Sequence, residues 1–284
     1  MTNASKKTLV VGDMHLKEEL ILSRVDAAIE RLAIERVVFC GDYVDEWHAS
    51  DLMMREALVA LTTWVASKRS QGLGVDLVLG NHDMCYLLNH NGPGTHSKLY
   101  AEVSAALSTL NVSVATVVGS CLVTHAGVTA SWAQRYLSPE DCASASSLAH
   151  ALNVMLEHEG EDDAYALYSA GPARGGNSLP SPLWADLTEL YQDPIPNVFQ
   201  IVGHTPVESI DVWQVPCEDG EHTAARLIFC DTFSLTSYLT PIGDGSMLVV
   251  DGASIFAATS EGLGAASWGE ESWKWAMSTL PPIL

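Results

Sequence analysis

The first eighty residues alternate between short apolar runs and longer amphipathic stretches. "KTLVVGD", residues 36–40 and "GVDLVLGNHD" have the length and composition of strands, the last ending in a polar turn. Residues 17–35 and 50–69 have the spacing of amphipathic helices, and Ser50 or Asp51 is a suitable cap for the second. This β-α-β-α-β order predicts a parallel sheet with helical crossovers, and therefore a protein of the α/β class.

The rest of the chain continues with more strands and a helical middle. Five further segments are predicted as strands: "NVSVATVV", "SCLVTHAG", "NVFQIVGHTP", "ARLIFCDT" and "GSMLVVDG". A helical segment lies near residues 97–107, and an Ala-rich, acidic one covers 138–169. A hydrophobic content of 48% is enough to build a large core. We predict a single domain over 1–284, with a mostly helical insertion at about 130–195.

Composition excludes several classes of partner. The formal net charge is −21 and there are only 14 Lys and Arg residues, which argues against a nucleic-acid partner. No apolar run is long enough to span a bilayer, so no membrane partner is expected. The polar segment before the first strand lacks a signal-peptide core, and the six cysteines have no C-x-x-C spacing. We therefore expect a cytoplasmic, reduced protein.

Five predicted strands share one unusual feature, because each ends in residue types that bind metals. The strand ends are "VVGDMH" with Asp13 and His15, "VFCGDYVD" with Asp42 and Asp45, "LVLGNHD" with Asn81, His82 and Asp83, "LVTHAG" with His125, and "QIVGHTP" with His204. Taken singly, each has a plain structural interpretation, since Asp after Gly is common in turns and carboxylates also cap helices or form salt bridges. Because the carboxyl ends of parallel strands form ligand sites, the set as a whole predicts a metal centre.

The chemistry of these residue types indicates which metals and which reaction to expect. A mixture of carboxylate and imidazole ligands suits Mn, Fe, Zn or Co better than Mg or Ca alone. Two such cations with a bridging carboxylate, for which Asp42 is the candidate, can activate water and clamp a phosphoryl group during in-line displacement.

In this order, the motifs resemble those of the calcineurin-like metallophosphoesterase superfamily. The matching segments are Gly12–His15, Gly41–Asp45, Gly80–Asp83, His125 and Gly203–His204. "GDYVD" and the "LW-A-D" around Trp184 are similar to the branch that holds Ser/Thr protein phosphatases and symmetrical dinucleoside tetraphosphatases. The resemblance implies a four-layer α-β-β-α sandwich and two divalent cations, with manganese favoured.

The resemblance also implies a role for each motif residue. One cation would be bound by Asp13, His15 and Asp42, and the other by Asp42, Asn81, His125 and His204. His82 would act on the leaving group, Asp45 would orient His82, and Asp83 would lie just outside the metal ligands.

Two departures from the family pattern concern the substrate. The last motif reads "GHTP", so Pro206 stands where many relatives have a second ligating histidine. After "GDYVD", Glu46 and Trp47 replace the Arg-Gly of the protein phosphatases, whose arginine binds phosphate. Arg174, in the glycine-rich loop "GPARGGNS", is the candidate replacement, and pairing with a surface carboxylate is its alternative interpretation.

The expected function is hydrolysis of a phosphoester or phosphoanhydride by a hydroxide that bridges two metals. The substrate would be a phosphorylated small molecule, a nucleotide or a phosphoprotein. Alternatives are a protein Ser/Thr phosphatase, a dinucleoside polyphosphate hydrolase, and an inactive metal-binding interaction protein. The departure at Glu46 argues against the first of these, and the intact ligand set argues against the last.

Overall fold

The computed structural model describes residues 6–158, 160–216, 223–261 and 274–279. Two short 3-10 helices cover Ser97–Leu99 and Pro172–Arg174. The other elements, in chain order, are β1 (Thr8–Val11), α1 (Glu18–Leu32), β2 (Arg36–Phe39), α2 (Asp51–Ser70), β3 (Gly74–Leu77), α3 (Asn81–Leu87), α4 (Tyr100–Leu110), β4 (Ala115–Val118), β5 (Cys121–Thr124), α5 (Ala130–Tyr136), α6 (Ala145–Glu157), α7 (Glu161–Tyr168), α8 (Leu187–Gln192), β6 (Phe199–Val202), β7 (Asp211–Pro216), β8 (Thr223–Phe229), β9 (Met247–Asp251), β10 (Ser254–Glu261) and β11 (Lys274–Thr279).

The first sheet has six strands in the order β11-β10-β9-β1-β2-β3. Strands β1, β2 and β3 are parallel, as the β-α-β-α-β pattern predicts, with Leu9 opposite Val37 and Val37 opposite Val75. Strand β9 pairs antiparallel with β1, and β10 and β11 continue the sheet in antiparallel fashion. The parallel strands therefore lie together at one side, with their carboxyl ends at a single edge.

The second sheet has five strands in the order β4-β5-β6-β8-β7. Strands β5, β6 and β8 are parallel, whereas the outer strands β4 and β7 pair antiparallel with their neighbours. The carboxyl ends of β5 and β6 consequently also lie at a common edge.

Because side chains alternate along a strand, the two faces of the first sheet contribute to different buried clusters. In β1, Val10 packs in a buried cluster with Val38 of its own sheet and with Ile201 and Ile228 of the other sheet. Its neighbours Leu9 and Val11 point to the opposite face, where the cluster includes residues of α1, α2 and α4. A third cluster packs α5, α6 and α7 against β4 and β5. The architecture is helix-sheet-sheet-helix, which confirms the predicted α/β four-layer fold.

Helices α5 to α8 all lie between β5 and β6, in the segment predicted as a helical insertion. Trp132 of α5 is fully buried, and its indole N–H donates to the carbonyl of Ala166 in α7. That helices α5 to α8 form an insertion within a single domain stays a prediction.

Within the described ranges, no helix has the length and apolarity needed to cross a membrane. In the part of the chain that the structure describes, the cysteines at positions 40, 85, 121, 142 and 230 are free thiols.

One local prediction was wrong, because "GNHD" begins a helix rather than forming a polar turn. Helix α3 starts at Asn81, directly after Gly80. The side chain of Asp83 accepts the backbone N–H of Gly80 at 2.8 Å, which caps the first turn. This helix carries the polar triplet of residues 81–83 to the edge of the sheet.

Candidate functional site

The five polar strand ends meet at one place, where the edges of the two sheets come together. Asp13, Asp42 and Asn81 follow the parallel strands of the first sheet, while His125 and His204 follow two strands of the second. All five side chains are buried. Both sheets therefore contribute to a single cluster, as expected for a site at the carboxyl ends of parallel strands.

Three residues of the first sheet form one group that could hold a cation: Asp13, His15 and Asp42 each offer a ligand atom within 4.8 Å of the other two. The Nδ1 of His15 lies 2.8 Å from the carbonyl oxygen of Asp45, which can only accept a hydrogen bond, so Nδ1 carries the hydrogen. In the neutral ring, Nε2 then presents its lone pair to Asp42 at 3.5 Å and to Asp13 at 3.9 Å.

A second group shares Asp42 and adds both histidines of the other sheet, since Asp42, His125 and His204 also offer atoms within 4.8 Å of one another. The Nδ1 of His125 donates to the carbonyl of Cys40 at 2.7 Å, which turns Nε2 toward the cluster. There it lies 2.9 Å from Oδ1 of Asn81, 3.0 Å from Nδ1 of His204 and 3.4 Å from Asp42.

Both groups fit a divalent cation, because several nitrogen and oxygen atoms with lone pairs converge and too few hydrogen-bond donors lie among them. The Nε2 of His204 is buried and has no hydrogen-bond partner among the described residues. Burial opposes a positive charge on His125, but Asp42 and Asp13 outweigh it and raise the pKa of His125 to about 10. Burial and the nearby Asp231 raise the pKa of Asp13 well above its usual range. At His125 and Asp13 the cluster therefore attracts protons, and a bound cation would replace them.

The backbone around the cluster is held in unusual conformations. Residues with positive φ include His15 (43°), Asp42 (52°), Asp45 (64°) and His204 (64°). Such left-handed conformations cost about 1–3 kcal/mol each for residues other than glycine, so their surroundings must fix them. The buried carboxylate of Asp83 does this for one loop by accepting the N–H groups of Asp42 and Tyr43 at 2.9 and 3.0 Å.

His82 lies at the rim of the same cluster and pairs with Asp45, as the motifs imply. Its Nδ1 is 3.2 Å from Oδ2 of Asp45, and its backbone N–H donates to Asp42. The other oxygen of Asp45 accepts the hydroxyl of Tyr86 at 2.5 Å. Burial opposes a charge on His82, but Asp42 and Asp45 outweigh it and raise its pKa.

The cluster opens into a cavity of about 290 Å³. Arg174 lines this cavity, where its guanidinium donates to the hydroxyl of Thr205 at 2.7 Å and lies 3.2 Å from Asp186. Both interpretations of Arg174 therefore have support, since it faces the site and also pairs with a carboxylate. Glu46 lines the cavity as well, but Lys17 lies 2.6 Å from its carboxylate and neutralises it.

Three residues near the cluster were not given a role from the sequence. Tyr86 was missed, although it lies four residues after His82 and hence on the same face of α3. Asp231 is fully buried, and burial raises its pKa to about 6. Trp184 was noted only within its motif. Its ring lies edge-on to that of His204 at 5.8 Å, and the late position of both residues in the chain gave no sign of this proximity.

Two packed sheets with outer helices, and a carboxylate–imidazole cluster at the ends of their strands, define a metallophosphoesterase. The chain belongs to the calcineurin-like phosphoesterase family, whose model matches residues 6–208. It is a hydrolase that acts on phosphate esters, and the family predicted from the five motifs is confirmed.

Comparison with solved structures supports the same fold. A point mutant of a cold-active protein tyrosine phosphatase aligns with a TM-score of 0.57 at 17% identity, over 90% of this chain and 78% of that one. The cold-active protein-tyrosine phosphatase of a psychrophilic Shewanella species aligns with a TM-score of 0.54, also at 17% identity and with the same coverage. At this identity the likeness concerns the fold alone. Among curated proteins, none matches the sequence significantly.

Proposed function

We propose that this protein hydrolyses phosphoester or phosphoanhydride bonds with the help of two divalent cations. The observation that carries the proposal is that Asp42 belongs to both candidate metal groups. One carboxylate shared between two ligand sets is what a pair of cations about 3.5–4 Å apart requires.

The residues that would hold the cations follow from the two groups. Asp13, His15 and Asp42 would bind one cation, and Asp42, Asn81, His125 and His204 would bind the other. When bound, the pair would activate a water nucleophile and neutralise charge on the phosphoryl group. The mixed oxygen and nitrogen donors favour Mn, Fe, Zn or Co, and manganese is our preferred assignment.

His82 and Asp45 are proposed to act on the leaving group. The raised pKa of His82 favours the protonated imidazole, and Asp45 holds the ring through Nδ1. The Nε2–H can then donate to the oxygen that departs. In the reaction, water forms a new P–O bond, the P–O bond to the leaving group breaks, and that oxygen takes the proton from His82. A water proton later restores the imidazolium.

Arg174 is proposed to bind the substrate phosphate from the side of the cavity formed by the glycine-rich loop. Its guanidinium keeps a partly exposed edge in the cavity, and a planar fork suits a phosphate. The substrate is a phosphorylated small molecule, a nucleotide or a phosphoprotein. The Lys17–Glu46 pair removes the repulsion that an unpaired Glu46 would exert on a phosphate.

The first experiment is hydrolysis of p-nitrophenyl phosphate and its bis-ester by chelator-stripped protein. Turnover should return when Mn²⁺, Zn²⁺ or Co²⁺ is added and should stay absent without metal. The preference between the two esters then separates a monoesterase from a diesterase. Two bound cations with no turnover of any phosphoester or phosphoanhydride would refute the catalytic proposal and favour a binding protein.

The shared ligand has its own test. Asp42→Asn should lower metal content from two equivalents to one or none, measured by elemental analysis of purified protein. The matched control is Asp76→Asn, because Asp76 pairs with Arg36 away from the cluster. Retention of both metals by Asp42→Asn would contradict the bridging assignment.

A further inference from the structure

Part of the cavity lining is apolar and includes an exposed tryptophan. Trp47, Pro93, Pro206 and Leu235 line the cavity together with the candidate metal ligands. The side chain of Trp47 is 52% exposed, although large aromatic side chains are buried extensively in most proteins. An aromatic ring kept in solvent beside a site is a candidate for contact with a ligand.

Hydrogen bonds on two sides hold Trp47 in this exposed position. Its indole N–H donates to the carbonyl of Leu235 at 3.3 Å, and its backbone N–H donates to the carboxylate of Glu46 at 2.8 Å. The following residue, His48, adopts a left-handed conformation and has its Nε2 3.2 Å from the carbonyl of Ser237. The ring is therefore ordered before any ligand arrives, which lowers the entropy cost of binding.

The charges that line the cavity limit how many phosphates the substrate brings. Arg174 is the one Lys or Arg among the described lining residues. Glu46 is neutralised by Lys17, and Asp45 is engaged with His82 and Tyr86. One guanidinium beside the metal ligands suits a single phosphoryl group, and a chain of several phosphates would lack cations for its outer groups.

The size of the cavity points in the same direction. A volume of about 290 Å³ lies just below the roughly 300–1,000 Å³ that ligand pockets usually occupy. A phosphoryl group and one flat ring fit such a volume better than a dinucleotide.

We propose that Trp47 determines specificity by stacking on the ring of an aryl phosphomonoester, so that the leaving group is a phenol. This inference rests on the proposed function, because it assumes that a phosphoryl group occupies the metal cluster. The ring belongs either to a free aryl phosphate or to a phosphorylated tyrosine side chain. Both sources present the same chemistry to Trp47.

The test compares phenyl phosphate with cyclohexyl phosphate, whose ring has similar size but no π face. The ratio of kcat/KM for the two esters is measured in the wild type, Trp47→Ala, Trp47→Phe and a control. Comparing this ratio between variants removes the difference in intrinsic reactivity between the esters. The control is Tyr238→Ala, because Tyr238 is an aromatic side chain at 89% exposure that does not line the cavity.

Trp47→Ala should lower the phenyl-to-cyclohexyl ratio about three- to ten-fold, the range expected for loss of one aromatic stack. Trp47→Phe should retain most of the ratio, and Tyr238→Ala should leave it unchanged. An unchanged ratio in Trp47→Ala overturns the inference. The inference is also overturned if Trp47→Ala lowers kcat/KM for adenosine monophosphate but not for phenyl phosphate, because Trp47 would then stack on a nucleobase.

Two further arms complete the design. A phosphotyrosine peptide with the same dependence on Trp47 identifies a protein as a source of the ring, and dependence for phenyl phosphate alone identifies a small molecule. Calorimetry with Mn²⁺ present measures the affinity of the protein for phenylphosphonate and cyclohexylphosphonate, and this comparison needs no turnover. If a diester or an anhydride is hydrolysed but no phosphomonoester is, this inference fails and the proposed function stands. If no phosphoester or phosphoanhydride is hydrolysed, the proposed function fails, while the phosphonate comparison still decides whether Trp47 prefers an aromatic ring.

Discussion

Replacing His82 by asparagine gives the sharpest test of the proposed chemistry. In the wild type, Nδ1 of His82 lies 3.2 Å from Asp45, and both Asp42 and Asp45 raise the pKa of His82 against the effect of burial. The raised pKa favours the imidazolium, the form in which Nε2 carries a proton. Asparagine is polar and cannot supply that proton.

The expected loss depends on how much the leaving group needs a proton. General acid catalysis contributes about 10²–10⁴-fold, so kcat for phenyl phosphate should fall by that factor, or by about 3–5 kcal/mol of transition-state stabilisation. The more stable p-nitrophenolate leaves without protonation, so kcat for p-nitrophenyl phosphate should fall about 10-fold or less. Asp45→Asn acts through His82 and should give a smaller loss of about 10–100-fold with the same dependence on the leaving group.

The assay measures kcat for a series of aryl phosphates at saturating Mn²⁺ in the wild type, His82→Asn and His158→Asn. His158 is a suitable control because its side chain is exposed, pairs only with Asp163 among the described residues and does not line the cavity. The slope of log kcat against the pKa of the leaving phenol should steepen in His82→Asn alone. An equal loss for every ester would show that His82 does not act as the general acid.

Three other substitutions give independent tests. Arg174→Ala should raise KM for phosphomonoesters about ten-fold through loss of a charged contact, whereas Arg55→Ala, which breaks an exposed pair with Glu102, should not. Gly203→Ala should weaken metal binding, measured by calorimetry, because its Cβ would lie 2.2 Å from Oδ1 of Asp13. Burial raises the pKa of Glu18 to about 8 from 4.5, so between these pH values the folded state keeps a proton that the unfolded state releases. The free energy of unfolding therefore falls as pH rises through this range. Glu18→Gln should therefore be more stable than the wild type above pH 8, by up to about 5 kcal/mol in denaturant unfolding, with the difference vanishing below about pH 4.5.

Each of these outcomes has a clear opposite. For the glycine, the control is Gly160→Ala, whose added Cβ would come no nearer than 4.0 Å to Asp163, and equal metal affinity in both variants would contradict the reasoning. A pH-independent difference between Glu18→Gln and the wild type would show that Glu18 does not carry the proton. An unchanged KM in Arg174→Ala would return this arginine to a structural role with Asp186.

The parallel strands and the polar residues at their ends could be predicted from the sequence, because each combined an apolar run with a glycine and a ligand residue type. Strands β7, β10 and β11 were missed. Strand β7 lies at a sheet edge, and its residues from Asp211 to Pro216 are largely exposed. The packing of one sheet on the other came from the family resemblance, because hydrophobic alternation does not say which faces meet.

Details of the site that depend on distant backbone could not be predicted. The carbonyl of Cys40 orients His125 across 85 residues of sequence, and the carbonyl of Asp45 orients His15 across 30. Every residue has a backbone carbonyl, so the sequence does not show which carbonyl contacts which histidine. Trp47 was noted as a departure from the family pattern, but its exposure and its hydrogen bond to Leu235 required the structure.

The convergence of the two sheets on one cluster links metal occupancy to the integrity of the whole fold. Asp42 comes from the six-stranded sheet, whereas His125 and His204 come from the five-stranded one, so a cation held by all three would join the two halves of the sandwich. Free cation at about 100 times its dissociation constant would then add about 2.7 kcal/mol to the free energy of unfolding. Removal of the metal by a chelator would accordingly weaken the contact between the two sheets and make the chain more sensitive to proteases. In a cell, metal supply would set the lifetime of this protein as well as its activity.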